Sequence, residues 1–391
     1  MTKRERFLAA MTNQVPDRVP AAPDFSNYIP ARRTGLPFWD IYFNGTIPLW
    51  QAYLDTADYF GAEAWVASCF GAPLLMEPTA TEYHYEDIFD ASNDAMIRRW
   101  TMRTPLGELD GRDQCYRYDP PSPVVKPIKV LERDYPIWKS AQSLPRALDM
   151  AVWDEVRTAC EQREQAFGVA IGYPGFQQWI CAVDDAIMQL SVADMETPEI
   201  LEEWLEWDMA VGTRAMELLI AAKPDYILLG GSGTITLSSP RLARKYALPG
   251  LKKYSHMAQE AGIPTMVHSC GKSMALVEML AEETDVNCLN PLEIPPMGDA
   301  DLAEVKRKYG KQISLMGNLH TTEVILKGTP QQVQQAAIQA MKDAGQGGGF
   351  ILSTGDQCPR DTPDENIFAL VEAAHTFGVY DQASGTLMEL S

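Results

Sequence analysis

The feature that most constrains the fold is a regular alternation of short apolar segments and longer amphipathic segments over the second half of the chain. Short segments rich in apolar or β-branched residues occur at 168–172, 225–230, 264–268, 285–289, 312–316 and 349–352. Their length and composition predict buried strands. The segments between them carry apolar residues at helical spacing and end near Gly or Pro, at 200–222, 240–261, 273–283, 300–309 and 329–344. This alternation predicts parallel strands that are joined by helices.

Two further strand candidates lie in the first part of the chain, at 18–23 after an opening helix and at 63–68 after a predicted helix at 49–60. Eight β/α units are the number that closes a barrel. The sequence therefore predicts one α/β domain over residues 1–391, a (β/α)8 TIM barrel with an N-terminal helical extension. Residues 82–136 fit no such unit. They are predicted to form a β-rich insertion after the second strand, either as a rim hairpin or as a wall or lid of the pocket.

Composition narrows the choice of partners and compartment. The 391 residues include 53 Asp and Glu against 33 Lys and Arg, a formal net charge of -20. This charge opposes binding to nucleic acid or to anionic lipid surfaces. The opening residues lack the apolar region of a secretory signal, and no segment is apolar for about 18 residues. We therefore expect a cytoplasmic protein with no membrane association, whose seven scattered cysteines form no disulfide framework.

In a (β/α)8 barrel the catalytic groups lie at the C-terminal ends of the strands. The fifth predicted strand ends in His268 and Cys270, a His-x-Cys pair whose side chains would share one strand face, followed by Gly271. The eighth ends with Asp356 and Cys358. His268, Cys270 and Cys358 would bind zinc and leave a fourth position for substrate, as in catalytic zinc sites. Asp356 could fill that position or compete with Cys358 as a ligand, and for an isolated His-x-Cys the alternative is a packed strand end.

Other polar and aromatic residues follow predicted strands and are candidates for the same site. Asp356 and Glu293 are predicted to donate a proton or to orient the substrate. The predicted substrate contacts are Tyr28, Tyr173, Asn318 and His320. For His320 the alternative role is to cap the seventh helix of the barrel.

Three motifs in the last part of the chain resemble the uroporphyrinogen decarboxylase superfamily. They are SLMGNLH at 314–320, GGGFILSTGD at 347–356 and TPDENI at 362–367. The opening RERFL at 4–8 and PDRVP at 16–20 are similar to the corrinoid methyltransferase branch of that superfamily. The resemblance spans nearly the whole chain and implies the same barrel fold.

The resemblance also implies a zinc site. The methyltransferase branch carries His-x-Cys on the fifth strand, which His268 and Cys270 match, and a third ligand, a cysteine, after the eighth strand. Cys358 does not align cleanly with that cysteine, because Asp356 stands directly after the glycine where the family's cysteine often lies. This departure places the third ligand in question, but not the metal.

The resemblance implies one component of a methyl-transfer system, in which zinc is the cofactor and a separate protein carries the corrinoid. No Asp-x-His-x-x-Gly motif occurs in the chain, so the corrinoid protein would be a different polypeptide. The predicted reaction moves a methyl group from a small donor, such as a phenyl methyl ether, to cobalt. The alternatives are methyl transfer from the corrinoid to a thiol, a uroporphyrinogen decarboxylase, and a non-catalytic binding protein on a barrel scaffold.

Overall fold

The computed structural model describes residues 1–390, which form twelve strands. In chain order these are β1 (Leu74–Met76), β2 (Glu82–Asp90), β3 (Ala95–Thr104), β4 (Gly107–Tyr116), β5 (Ser122–Val125), β6 (Pro145–Leu148), β7 (Gly168–Gly172), β8 (Tyr226–Gly230), β9 (Thr265–His268), β10 (Cys288–Asn290), β11 (Ser314–Leu319) and β12 (Phe350–Thr354).

The same residues form fifteen α-helices and three shorter or wider helical turns. The helices are α1 (Lys3–Met11), α2 (Tyr28–Thr34), α3 (Phe38–Tyr42), α4 (Leu49–Phe60), α5 (Leu131–Ser140), α6 (Met150–Gln162), α7 (Phe176–Trp179), α8 (Ala186–Glu196), α9 (Pro198–Ala222), α10 (Pro240–Leu242), α11 (Leu248–Glu260), α12 (Met274–Glu283), α13 (Leu302–Tyr309), α14 (Pro330–Ala344) and α15 (Asp364–Phe377). The turns are a 3-10 turn at Val66–Ser68 and π-helices at Ala243–Ala247 and Thr321–Leu326.

Six parallel strands, in the order β7-β8-β9-β10-β11-β12, form the main sheet. Each corresponds to one of the six apolar segments identified in the second half of the sequence. Helices lie between consecutive strands, so the predicted β/α alternation is confirmed. The strands are buried along nearly their whole length, as expected where helices cover the outside of a barrel.

Residues 18–23 and 63–65 connect the two edges of this sheet, although they form no regular strands. Leu352 of β12 exchanges backbone hydrogen bonds with Pro20 and Ala22, each 2.9 Å long. The Glu63 N–H donates to the Ala21 carbonyl at 2.9 Å, and Trp65 forms a parallel bridge with Ala166, just before β7. The backbone contacts therefore run around the whole ring of eight segments.

The prediction of a strand at 63–68 is wrong for its second half, where Val66–Ser68 form a 3-10 turn. A side chain replaces part of the strand ladder here. The Gln165 amide accepts from the Ala64 N–H at 2.8 Å and donates to the Ala62 carbonyl at 3.1 Å. In the segment at 18–23, Pro20 and Pro23 have no N–H to donate, so regular pairing cannot extend along both sides.

The predicted insertion contains an antiparallel sheet of four strands in the order β2-β3-β4-β5. The last strand of this sheet ends at Val125. The rest of the predicted insertion includes the start of α5. A separate antiparallel pair, β1 with β6, lies on either side of it in sequence. Cys115 of β4 packs into a small apolar cluster with Phe38 and Trp39, which attaches the sheet to α3.

The N-terminal end of the barrel holds a network of ion pairs. The fully buried Glu63 accepts from Arg6 at 2.7 Å and from Arg18 at 2.9 Å. Arg6 also pairs with Asp17 at 2.6 Å. Among residues 1–390, no helix is both long enough and apolar enough to cross a lipid bilayer.

Candidate active site

Three side chains meet at the C-terminal end of the barrel strands. Cys270 follows β9, Glu293 follows β10 and Asp356 follows β12. Their potential ligand atoms, one thiol sulfur and two carboxylate oxygens, all lie within 4.8 Å of one another. The barrel brings them together because parallel strands present their C-terminal ends at one rim.

Glu293 is fixed by the turn that carries Cys270. Its Oε2 accepts a hydrogen bond from the Gly271 N–H, and its side chain is buried. Gly271 has a φ of +79°, and a Cβ at this position would lie 2.2 Å from the Thr236 hydroxyl oxygen. Glycine is therefore required here for both conformation and space. Burial raises the pKa of Glu293, and the nearby Asp356 carboxylate raises it further.

Cys270 is partly exposed, with its Sγ 3.6 Å from the Ser232 hydroxyl. Burial raises the pKa of the Cys270 thiol, and the charge of Asp356 adds to this effect. The charged groups that chiefly shift the pKa values of Cys270 and Glu293 are carboxylates, and both raise them. A thiol between two carboxylates without a basic partner provides the mixed sulfur and oxygen ligands that zinc accepts.

Asp356 has an unusual backbone conformation. Its φ is +114°, a value that non-glycine residues rarely adopt. The Thr354 hydroxyl donates to the Asp356 carbonyl at 2.6 Å, and the Asp356 carboxylate accepts from the Gln357 N–H at 2.9 Å. These bonds hold a strained residue in place, and such strain is concentrated at functional sites.

His268 lies at the end of β9, outside the group of three among the described residues. β9 ends at His268, so Cys270 lies two residues beyond the strand and the shared face of the two side chains stays a prediction. The His268 Nδ1 lies 2.6 Å from the buried Asn290 Oδ1. With Nδ1 donating to that oxygen, Nε2 carries the lone pair with which histidine binds metals.

Cys358 is fully buried and lies outside the same group of ligand atoms within residues 1–390. Its N–H donates to the Asp24 carbonyl at 2.6 Å, and its Sγ lies 4.0 Å from the Thr354 hydroxyl. Burial raises the pKa of this thiol, followed by the charge of Asp24. The structure thus brings Asp356, rather than Cys358, next to Cys270.

Asp24 is a buried carboxylate near this group, to which the sequence analysis gave no role. Its Oδ1 accepts from the Ser26 hydroxyl, whereas its Oδ2 has no hydrogen-bond partner. Burial and the neighbouring Asp356 raise the pKa of Asp24 to about 8. The sequence contains one indication of a role for Asp24, which is its position directly after the first barrel segment.

The four predicted substrate contacts all have protein partners. The Tyr173 hydroxyl lies 2.6 Å from the Thr234 hydroxyl, which in turn accepts from Ser269, the residue before Cys270. Asn318 donates to the Leu292 carbonyl at 3.0 Å, next to Glu293. Tyr173 and Asn318 therefore support two of the three loops that carry the ligand group, those of Cys270 and Glu293.

His320 and Tyr28 form local contacts. The His320 Nδ1 accepts from the N–H groups of Thr322 and Glu323, both at 3.2 Å, so it caps the π-helix that follows β11. The Tyr28 hydroxyl donates to Asp119 at 2.9 Å, beside the insertion. The capping alternative for His320 is thus observed.

Comparison with known proteins supports this architecture. Residues 187–377 match the family model described as uroporphyrinogen decarboxylase (URO-D). Uroporphyrinogen decarboxylase from Coxiella burnetii is 34% identical over 82 residues, 21% of this chain and 22% of that protein. Methylcobamide:CoM methyltransferase MtbA from Methanosarcina mazei is 26% identical over 188 residues, 46% of this chain and 49% of that protein. The chain therefore matches about a fifth of the length of the decarboxylase and about half that of the methyltransferase.

A solved structure of a methyltransferase from Methanosarcina mazei has the same fold over almost its whole length. The TM-score is 0.64 at 19% sequence identity, with 96% of this chain and 99% of that chain covered. The segment that matches the family model contains Cys270, Glu293 and Asp356. Residues 187–377 are therefore similar in sequence to the uroporphyrinogen decarboxylase family, and nearly the whole chain shares the fold of this methyltransferase.

Proposed function

We propose that this protein is a zinc-dependent methyltransferase that exchanges a methyl group between a small molecule and the cobalt of a corrinoid bound to a separate protein. The observation that carries the proposal is the group formed by Cys270, Glu293 and Asp356 at the barrel rim. Three potential metal ligands from three different strand ends, with no basic side chain to neutralise them, are suited to a divalent cation. The similarity to MtbA, whose name describes methyl transfer between a cobamide and CoM, supports the reaction class.

We assign Cys270 as the central zinc ligand, with Asp356 as the carboxylate ligand and His268 contributing through Nε2. Cys358 is the alternative third ligand that the sequence predicts. Zinc bound here would supply Lewis acidity for a substrate oxygen or sulfur. The hydrogen bond from the His268 Nδ1 to the Asn290 Oδ1 fixes the orientation of the ring, as partners of metal-bound histidines commonly do.

Glu293 is suited to hold and deliver a proton beside the ligand group. Its Oε2 is engaged by the Gly271 N–H, which leaves Oε1 as the oxygen that can carry the proton. Because burial raises the pKa of Glu293, a proton is retained there more readily than on an exposed carboxylate. In demethylation of an ether, this proton would go to the departing alkoxide or phenoxide.

Our proposed methyl donor is a methoxylated aromatic compound. The aromatic side chains near the strand ends do not by themselves favour this donor over others. Phe25 is fully buried and packs against Tyr53 and Phe60 in the core. The second candidate is the opposite direction, from methyl-corrinoid to a thiol, and the match to MtbA favours it. Both directions use the same zinc ligands.

The test is to measure zinc stoichiometry and methyl transfer in both directions for the wild type and for Cys270→Ala and His268→Ala. We expect about one zinc per chain in the wild type. Loss of zinc and a fall in activity of at least about 100-fold should follow in Cys270→Ala. The matched control is Cys181→Ala, which removes an exposed thiol elsewhere.

Each substrate class is tested separately in these assays. A phenyl methyl ether with reduced corrinoid protein tests demethylation, and methylcobalamin with a thiol tests the reverse direction. Absence of zinc from the wild type, or unchanged transfer in Cys270→Ala, would refute the zinc mechanism. Conversion of uroporphyrinogen to coproporphyrinogen without metal or partner would instead establish the decarboxylase.

A further inference from the structure

A cavity of about 520 Å³ lies between the insertion sheet and helix α9, away from the metal ligands. Five of the nine tryptophans of the chain line it: Trp100 of β3, Trp138 of α5, Trp179 of α7, and Trp204 and Trp207 of α9. The volume is within the usual range for small-molecule sites. Indole rings therefore form much of the lining of this cavity.

The rings form a connected wall. The Trp204 ring stacks on Trp179 at a centroid distance of 5.2 Å and contacts Trp138 at 4.8 Å. Trp179 and Trp204 are buried and support the wall, whereas Trp100, Trp138 and Trp207 are only partly buried. The latter three therefore have ring surface available to a ligand.

Trp100 is held in place by a glycine on the neighbouring strand. Trp100 pairs with Gly111 across β3 and β4, and a Cβ at Gly111 would lie 2.2 Å from the Trp100 ring. The ring thus lies directly over the backbone of Gly111. This arrangement aligns the indole with the cavity wall instead of leaving it extended into solvent.

The charged groups in the lining are both carboxylates, Asp113 of β4 and Asp208 of α9, and no Lys, Arg or His of the described chain lines the cavity. Burial raises the pKa of Asp208 to about 7, although the Trp179 indole donates to this carboxylate at 2.7 Å. Burial also raises the pKa of Asp113, although a hydrogen bond with Trp100 and the charge of Arg98, which pairs with Asp87, act in the opposite direction. A bound cation would compensate both carboxylates.

We propose that this cavity binds an organic cation with apolar substituents on nitrogen, a tertiary or quaternary ammonium compound. The faces of Trp100, Trp138 and Trp207 would contact the substituents by cation–π interaction, while Asp113 and Asp208 balance the charge. A metal ion is a poorer fit, because the lining offers few oxygen ligands to replace its water. The cavity lining does not include Cys270, Glu293 or Asp356. The proposal can therefore be tested independently of the proposed methyltransferase reaction.

The test is calorimetric titration of the full chain with choline and, separately, with 3,3-dimethylbutan-1-ol, which has the same shape with carbon in place of the charged nitrogen. We expect saturable binding of choline and at least about tenfold weaker binding of the neutral compound, because the cation–π attraction requires charge. Equal binding of both compounds, or no saturable binding of choline up to about 50 mM, would overturn the proposal.

Variants identify the cavity as the site of binding. We expect Asp208→Asn and Trp207→Leu each to weaken choline binding at least about fivefold, with Trp207→Phe restoring most of the affinity because it retains an aromatic face. Asp154→Asn, an exposed carboxylate by a different surface cavity, is the matched control and should bind as the wild type does. Wild-type affinity in both Asp208→Asn and Trp207→Leu would refute the assignment, and circular dichroism of each variant checks that it is folded.

Discussion

Glu63 and Asp24 are both fully buried carboxylates, one at each end of the barrel, and their surroundings differ in charge. Glu63 accepts from two arginines, Arg6 and Arg18, and from the Ala21 N–H at 2.8 Å. Asp24 has the Ser26 hydroxyl as its side-chain donor, an orphaned Oδ2, and a second carboxylate, Asp356, as its charged neighbour.

This difference in charge distinguishes the end of the barrel that stabilises the fold from the end that carries the candidate active site. At the N-terminal end the fold itself supplies the positive charge, so the burial of Glu63 is compensated within the chain. At the C-terminal end Asp24, Glu293 and Asp356 cluster without a basic partner, and compensation has to come from a bound cation or from protons. Barrels commonly show this division, with stabilising interactions at the N-terminal face and catalysis at the other.

The largest effect on stability should follow from removing the carboxylate charge at the N-terminal end of the barrel. Glu63→Gln leaves Arg6 and Arg18 without a buried anion, and we expect the free energy of unfolding to fall by about 3 to 4 kcal/mol. Urea denaturation measures it. Glu283→Gln is the control, because its pairs with Arg244 and Lys252 are exposed and contribute less than about 1 kcal/mol. An equal loss of unfolding free energy in the two variants would show that the ion-pair network around Glu63 is not cooperative.

The second prediction concerns the third zinc ligand at the uncompensated end. Asp356→Asn preserves size and tolerates the positive φ, but removes the charged ligand, so we expect zinc affinity to fall at least about 100-fold. Cys358→Ser should retain zinc, because its sulfur lies outside the ligand group. Competition with a zinc-binding dye measures both. The opposite order of effects would identify Cys358 as the ligand, as the sequence first predicts.

Removal of the buried Asp24 carboxylate, which has no ion-pair partner, should raise the free energy of unfolding. The change at Glu63 lowers it. Asp24→Asn replaces a carboxyl that burial and Asp356 force to hold a proton in the folded state, so we expect the metal-free protein at pH 7 to gain at least about 1 kcal/mol in the free energy of unfolding. Unfolding in the presence of a chelator measures this gain. A loss of stability would indicate that Asp24 has a structural role resembling that of Glu63.

The smallest effect is a pH dependence at the compensated end. Burial alone would raise the pKa of Asp17, but hydrogen bonds from Arg6 and the Met1 ammonium outweigh it and lower the pKa to about 2. The folded carboxyl thus binds protons less readily than the unfolded one, whose pKa is near 3.8. The stabilisation is fully present above that value and is lost as the pH falls towards 2.

The measurement compares the wild type with Asp17→Asn across this pH range. Because Asp17 is partly exposed and screened by solvent, we expect a difference below about 1 kcal/mol at pH 7. The difference should shrink between about pH 4 and pH 2. A constant difference down to pH 2 would show that the Arg6 contact does not depend on the charge of Asp17.

The sequence by itself determined the repeating β/α architecture and the insertion. Apolar periodicity is a local property, so the strands from β7 to β12 and helix α4 could be located without tertiary information. The barrel rule then placed Cys270, Glu293 and Asp356 at strand ends, and all three lie together in the structure.

Only the tertiary structure decided how these elements combine. Residues 18–23 and 63–65 complete the ring with side-chain hydrogen bonds and single backbone contacts, which no periodicity encodes. The group around the Cys270 thiol contains two carboxylates and not His268, because distances between side chains depend on the packing of strand ends far apart in sequence. The tryptophan-lined cavity has the same origin, since its rings come from β3, α5, α7 and α9, and only their packing places five indoles around two carboxylates.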